Sequence, residues 1–232
     1  MGKRTKGRAK GRGNMQFRVR KKAYCYRISY PKLSNIGKAK IMRLINSAAH
    51  STPLAKIKLN DEEFIVPCAD GIYEGQEIDV INGKAENGNI LMLKDIPQGT
   101  KIFNIESFPG SGGKFLRSSG CYGIVMNKDK NLVEIIIKRR SLKLNENCRA
   151  IIGVAAGDGR VLKPFAKAGN KHHLMKSKGR KWHYTSAIKT NAVDHPFGSG
   201  RGKRIKSKIA QRNAPPGAKV GHIRPRRTGR AK

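Results

Sequence analysis

Residues 55–66 read AKIKLNDEEFIV, and their pattern sets the fold class. Ala55, Ile57 and Leu59 alternate with Lys56 and Lys58, the period-two signature of a strand with one face on a core and the other in water. Phe64 to Val66 form a short apolar run, and Asn60-Asp61 between them is turn chemistry. Downstream, Ile78 and Val80 alternate, and Ile90 to Leu93 and Ile102 to Ile105 follow, punctuated by Asp70-Gly71, Asn82-Gly83, Asn87-Gly88 and Gln98-Gly99. Five or six short strands at this spacing predict a small barrel within residues 31–106.

Working outward, residues 107–120 hold the Gly-rich bridge Pro109-Gly110-Ser111-Gly112-Gly113, which leads to a second set of strands. Tyr122 to Met126 and Leu132 to Ile137 flank the polar turn 127–131, a hairpin with a longer loop. Ser141 to Leu144 and Cys148 to Val154 complete a second barrel within residues 121–175. The prediction is a mainly β chain of two small barrels, each of a size that often needs a partner for stability.

The charge is distributed unevenly. Of a net +35, residues 1–30 carry +11 and residues 166–232 carry +18, whereas residues 31–106 carry −1 and residues 107–165 carry +7. Long basic extensions at 1–30 and 176–232, poor in large aliphatics, cannot offset the entropy of ordering by burial and are expected to order on a polyanion. Nucleic acid is the first partner such a balance predicts. No run approaches the roughly 18 apolar residues of a membrane span, and the N-terminus lacks a secretory signal's apolar stretch, so no membrane partner is expected. The four cysteines, Cys25, Cys68, Cys121 and Cys148, form no C-x-x-C pair and read as reduced thiols of a cytosolic chain.

Motifs that suggest other chemistry fail on their own residues. Gly110 to Lys114 resembles a phosphate loop, but Phe108 stands where the first Gly belongs and Phe115 where a magnesium-binding hydroxyl belongs. His172, His173 and His183 have no nearby Cys or carboxylate to complete a tetrahedral metal site, and read instead as RNA contacts or surface residues. Asp194-His195 could orient an imidazole as a base, yet no nucleophile accompanies it and Pro196 follows directly, as in a turn. Trp182, between Arg180 and Lys181 on one side and His183 and Tyr184 on the other, stands where phosphate-neutralising charge meets rings that stack on unpaired bases. It reads equally as an aromatic that anchors the tail on the second barrel.

Three stretches carry a resemblance: Gly153 to Arg160, Lys163 to His173, and Asn191 to Gly198. With Pro109 to Lys114, Arg117 to Gly120, Arg212 to Gly217 and Arg227 to Arg230, they resemble the universal L-two family of large-subunit ribosomal proteins, in its archaeal and eukaryotic-cytoplasmic branch. The resemblance implies an oligonucleotide-binding-fold (OB) barrel, an SH3-like barrel, and basic N- and C-terminal extensions that thread ribosomal RNA. It implies that Asp194 to Gly202 lies towards the peptidyl transferase centre, and that the family supports subunit association and the architecture of that centre. The chain departs from the family pattern at Ser186 to Lys189, Thr190 and Ser199.

The expected RNA contacts are Arg4, Lys6, Arg8 and Arg12 at the N-terminus, and Lys114 and Arg117 in the bridge. In the tail they are Lys171, His172, His173, Lys176, Lys178, Arg180, Trp182, Asp194, His195, Gly198, Gly200, Arg201, Arg212, Arg226, Arg227 and Arg230. Expected partners are large-subunit ribosomal RNA and other ribosomal proteins in the cytoplasm, without self-association. No catalytic or metal-binding residue and no cofactor is expected, beyond structural Mg2+ that accompanies the RNA. Two other readings remain open on the residues: a free basic chaperone of RNA or DNA, and an RNA-acting enzyme using Asp194-His195.

Overall fold

The structure is a computed structural model and describes residues 6–198, 209–215 and 217–223. It divides into two compact units, residues 21–165 and residues 1–20 with 166–232. Helices are few: α1 (Lys6–Gly11), α2 (Gly159–Leu162) and α3 (Ala168–Ser177). Ten strands lie within residues 21–165: β1 (Gly37–Ile45), β2 (Leu54–Leu59), β3 (Glu62–Pro67), β4 (Glu77–Ile81), β5 (Ile90–Met92), β6 (Lys101–Phe103), β7 (Gly123–Asp129), β8 (Leu132–Ile137), β9 (Arg140–Asn145) and β10 (Arg149–Ile152). In the other unit, β11 (Ile209–Ala210) and β12 (His222–Ile223) form a short parallel pair.

The chain is mainly β and carries the OB-fold barrel followed by the SH3-like barrel. The alternating run 55–59 becomes β2 and pairs antiparallel with β3, Ala55 opposite Val66 and Ile57 opposite Phe64. Ala55, Ile57 and Leu59 are buried while Lys58 is exposed, as the period requires. β1 is a strand that the apolar pattern did not single out: its register with β2 shifts between Ile41 and Arg43. That bulge leaves Met42 half exposed and breaks the alternation that Ala39 and Ile41 begin.

The hydrogen-bonded order is β3-β2-β1-β4-β5-β10-β6-β7-β8-β9, a single sheet in which β10 from the C-terminal half inserts between β5 and β6. The three central strands feed two cores with alternate side chains. Ile90, Phe103 and Ile151 join Ile41, Ile57, Val66 and Val80 in one cluster. Their neighbours Leu91, Ile102, Ala150 and Ile152 join Val125, Val133 and Ile135 in the other. The two barrels therefore share a wall.

A buried ion pair pins that wall. Arg149, 1% exposed, donates from Nη2 to Glu106 Oε1 at 2.9 Å and from Nε to Oε2 at 3.3 Å; Glu106 is fully buried. Both groups make further hydrogen bonds: Glu106 accepts the Arg149 and Gly112 N–H groups, and Arg149 Nη1 donates to Pro31 O at 2.7 Å. The guanidinium lies 5.0 Å from the centre of the Tyr30 ring, whose hydroxyl donates to Asn104 O. Burial pushes the Tyr30 phenol well above its ordinary pKa, Glu106 adding to the effect and Arg149 opposing it.

The Gly-rich bridge is built into this framework. Ile105 pairs with Phe115, and Phe115 and Leu116 pack on the second core. Gly113 has φ +74°, and a Cβ there would stand 2.5 Å from Asn104 Oδ1, so only glycine fits. Its neighbours' N–H groups point inward: Gly112 to Glu106, Lys114 to Ile105 O, and Ser107 and Phe108 to Ser111 Oγ. Amides taken by the protein itself are not free to cradle a phosphate.

Candidate nucleic-acid interface

The tail unit has almost no interior. Between 166 and 222, only Gly179 and Ala210 are buried among the described residues. Helix α3, AGNKHHLMKS, has no acid in its first turn, no side-chain N-cap and no buried residue. Ten residues of that kind are marginal as a helix in water, because most helical stability comes from an apolar face packed on something. Where the tail unit does pack, it does so backbone to backbone: Gly179 has φ +61°, and a Cβ there would meet Phe17 O at 2.9 Å.

The expected contact residues of the tail that are described lie on exposed or half-exposed positions. Lys171, His172, His173 and Lys176 lie on α3; His172 and His173 are exposed, with rings edge to face at 5.6 Å. Lys178 and Arg180 are exposed, and Lys171 Nζ stands 5.6 Å from the centre of the half-buried Trp182 ring. Lys181 Nζ lies 5.5 Å from the Tyr184 ring, so cations and rings alternate in space as in sequence. Arg212 is exposed. Near the N-terminus Arg12 is exposed, and Lys6 and Arg8 belong to α1. Arg4, Gly200, Arg201, Arg226, Arg227 and Arg230 lie outside the described residues.

In the bridge, Lys114 is exposed whereas Arg117 is half-buried and donates to Gly113 O at 3.3 Å. Burial lowers the pKa of Arg117, opposed by Tyr30 and Tyr24. It also belongs to a group that sequence reasoning passed over. His50 accepts or donates a 2.8 Å hydrogen bond with Ser47 Oγ and meets the Tyr24 ring edge to face at 5.7 Å. Burial, then Arg117, lowers the His50 pKa below its ordinary value. No local motif announces this group, since Tyr24, His50 and Arg117 lie far apart in the chain.

The Asp194-His195 segment forms a tight turn. Asn191 O accepts from the N–H groups of Asp194 and His195 at 3.0 and 3.2 Å, and Gly198 N donates to His195 O at 2.8 Å. A Cβ at Gly198 would stand 2.4 Å from Thr190 O, which fixes glycine there. The Phe197 N–H donates to His195 Nδ1 at 3.1 Å, and the two rings lie 5.0 Å apart. A neutral imidazole has one unprotonated nitrogen, so this bond puts the proton on Nε2. His195 then offers a donor, and the nitrogen through which a carboxylate would orient a base already faces an N–H. That arrangement suits hydrogen bonding to an RNA oxygen or ring nitrogen, not proton abstraction.

Among the described residues no group of three His, Cys, Asp or Glu side chains is arranged to hold a metal, and no helix is long and apolar enough to cross a membrane.

Comparison with known proteins adds the following. The family profile described as the C-terminal domain of Ribosomal Proteins L2 matches residues 86–217. The large ribosomal subunit protein uL2 of Methanococcus maripaludis strain C7 is 42% identical over 241 residues, spanning 99% of this chain and 100% of its own. The uL2 proteins of Haloarcula marismortui and Archaeoglobus fulgidus are each 40% identical, covering 99% of this chain and 98% and 99% of their own lengths.

Proposed function

The chain belongs to the L2 family of large-subunit ribosomal proteins, and on that premise we propose that it is a structural constituent of the cytoplasmic large ribosomal subunit that binds ribosomal RNA. One observation supports this reading above the others: the segment 166–232 carries +18 while burying almost nothing among its described residues. Charge held on a surface without a core of its own is neutralised and ordered by phosphate, through counterion release and direct contact. The exposed cations and half-exposed rings around α3 and Trp182 supply phosphate contacts and stacking surfaces for loops and unpaired bases.

The turn at Asp194 to Gly198 supports the finer reading, in which this segment helps shape the RNA of the peptidyl transferase centre. Gly198 lets backbone lie against backbone, and His195 presents an Nε2 donor to whatever faces it. The protein contributes architecture and subunit association, and the chemistry is that of RNA. It uses no cofactor of its own; Mg2+ in its surroundings is held with the RNA.

The test is sedimentation followed by kinetics. The tagged chain is expected in the large-subunit peak of a gradient of cell extract, and a chain found only in free or DNA-bound fractions contradicts the reading. Particles carrying His195→Ala, corrected for incomplete subunit joining, should form peptide bonds within about tenfold of normal and with the same pH profile, since a lost general base typically costs about 10²–10⁴-fold. A thousandfold loss with one titrating group gone would make His195 catalytic.

A further inference from the structure

The outer face of the β7–β8 hairpin holds a cleft that neither barrel's core explains. Ile124 and Ile136 face each other across the two strands and are left half-exposed, while their neighbours Val125 and Ile135 are buried. With Leu116, Gly120, Cys121, Tyr122 and Lys138 they line a cleft of about 250 Å³. That lies below the roughly 300–1,000 Å³ of pockets that take drug-sized ligands, and suits one planar ring system. Tyr122 is 40% exposed, and Lys101 Nζ lies over its ring, 5.0 Å from the centre. The lining carries a cation and no carboxylate.

We propose that this cleft receives a single unpaired RNA base, stacked on Tyr122 against the Ile124–Ile136 wall, with Lys101 and Lys138 on the flanking phosphates. The proposal rests on the RNA-binding reading above and assigns a base-accepting subsite to the SH3-like barrel. Charge complementarity selects the occupant: an apolar slot rimmed by lysines fits an aromatic ring on a polyanionic backbone, whereas an apolar peptide segment has no use for the rim. Arg139 and Arg140, exposed at the turn beyond Lys138, extend the same positive field.

The tails bind any polyanion, so the measurement must be local. Amide chemical shifts of the full-length chain are followed while it is titrated with a short oligouridylate and, separately, with a ribose-phosphate strand of equal length lacking bases. The expected result is that amides of residues 120–124 and 136–138 shift only with the base-bearing strand, while tail amides shift with both. Tyr122→Leu should weaken the cleft midpoint about fivefold to hundredfold, the range of one base–aromatic stack, and leave the tail midpoint unchanged; Tyr122→Phe should bind as the parent does. Tail shifts without cleft shifts, or equal cleft shifts with the abasic strand, overturn the subsite but leave RNA binding standing. A cleft midpoint unmoved by Tyr122→Leu shows that Tyr122 does not stack on the base and also overturns the subsite as proposed. No shift anywhere with either strand removes the RNA-binding reading itself.

Discussion

Residues 21–165 and the tail unit are built from one chain under opposite rules. The first buries Leu54, Ile57, Ile90, Leu91, Phe103, Ile105 and Ile151 almost completely and can afford to bury an ion pair as well. The second carries more than half of the net charge in residues 166–232 and leaves nearly every described side chain there exposed or half-exposed. The first region's structure is specified by what it packs against internally; on the function proposed above, the second region's is specified by RNA. Substitutions should therefore read out as stability in one region and as RNA affinity in the other.

The largest expected effect tests the first half of that statement. Glu106→Ala leaves Arg149 buried and unpaired, and breaking a buried pair in this way costs about 3–5 kcal/mol. Urea unfolding of the isolated chain should show it, and a loss below about 1 kcal/mol would mean that the pair is hydrated and the wall between the barrels looser than described. Next, replacing Arg226, Arg227 and Arg230 together with Gln should leave the unfolding midpoint alone and flatten the log–log salt slope of RNA binding by about two units, at about 0.7 per phosphate on single strands. A shifted midpoint with an unchanged slope would reverse the roles of the two regions.

Cysteine reactivity sharpens the same contrast within residues 21–165. Burial pushes the Cys68 and Cys148 thiols up to about 11, with Asp70 adding at Cys68 and Glu106 at Cys148. Since the thiolate is the nucleophile, two pKa units predict alkylation about a hundredfold slower than for an unperturbed thiol. Mass spectrometry at mildly alkaline pH should find exposed Cys25 modified first. Equal rates at Cys25 and Cys148 would show that the second core opens readily. Both folded pKa values are raised, so this contribution to stability is complete below about 9 and is lost as the pH rises towards 11.

The smallest effect is at acid pH. The folded pKa of His50 is lowered from 6.5, so its contribution is present above that value and lost as the pH falls through the folded one. The unfolding midpoint should decline modestly between neutral and mildly acid pH, and His50→Gln should flatten that decline. An equal decline in the variant would assign the acid sensitivity elsewhere.

Most strands were legible because period-two burial leaves a local trace. Ala55 to Leu59, Phe64 to Val66 and Ile78 to Val80 all fall within observed strands. The hairpin expected to have a longer loop over 127–131 instead closes on the two-residue turn Lys130-Asn131, because polar, exposed Asn127 to Asp129 continue β7 opposite Leu132 to Glu134. β1 escaped because a bulge near Met42 interrupts the period after only two buried residues. The Glu106–Arg149 pair escaped for a different reason: the partners stand 43 residues apart, and composition treats any charge as solvated. Helix α3 has no apolar stripe to betray it. In the tail, the exposed cations and the rings set among them were legible from charge and aromatic spacing. The orientation of His195 was not, since it depends on a single N–H two residues away.

The insertion of β10 between β5 and β6 governs how the chain can be made. As the polypeptide is synthesised from its N-terminus, β5 has no neighbour on its open side until residues 149–152 emerge, and Ile151 reaches the first core late. The first barrel is thus an unfinished sheet with a bare edge through the synthesis of the next half-hundred residues, a situation that invites mispairing. Such long-range closure also slows folding, because the loop must be closed before its contacts can repay it. A fragment ending near residue 106 would retain that bare edge permanently. The shortest piece expected to fold cleanly runs past Ile152, which makes the two barrels one unit of synthesis and quality control.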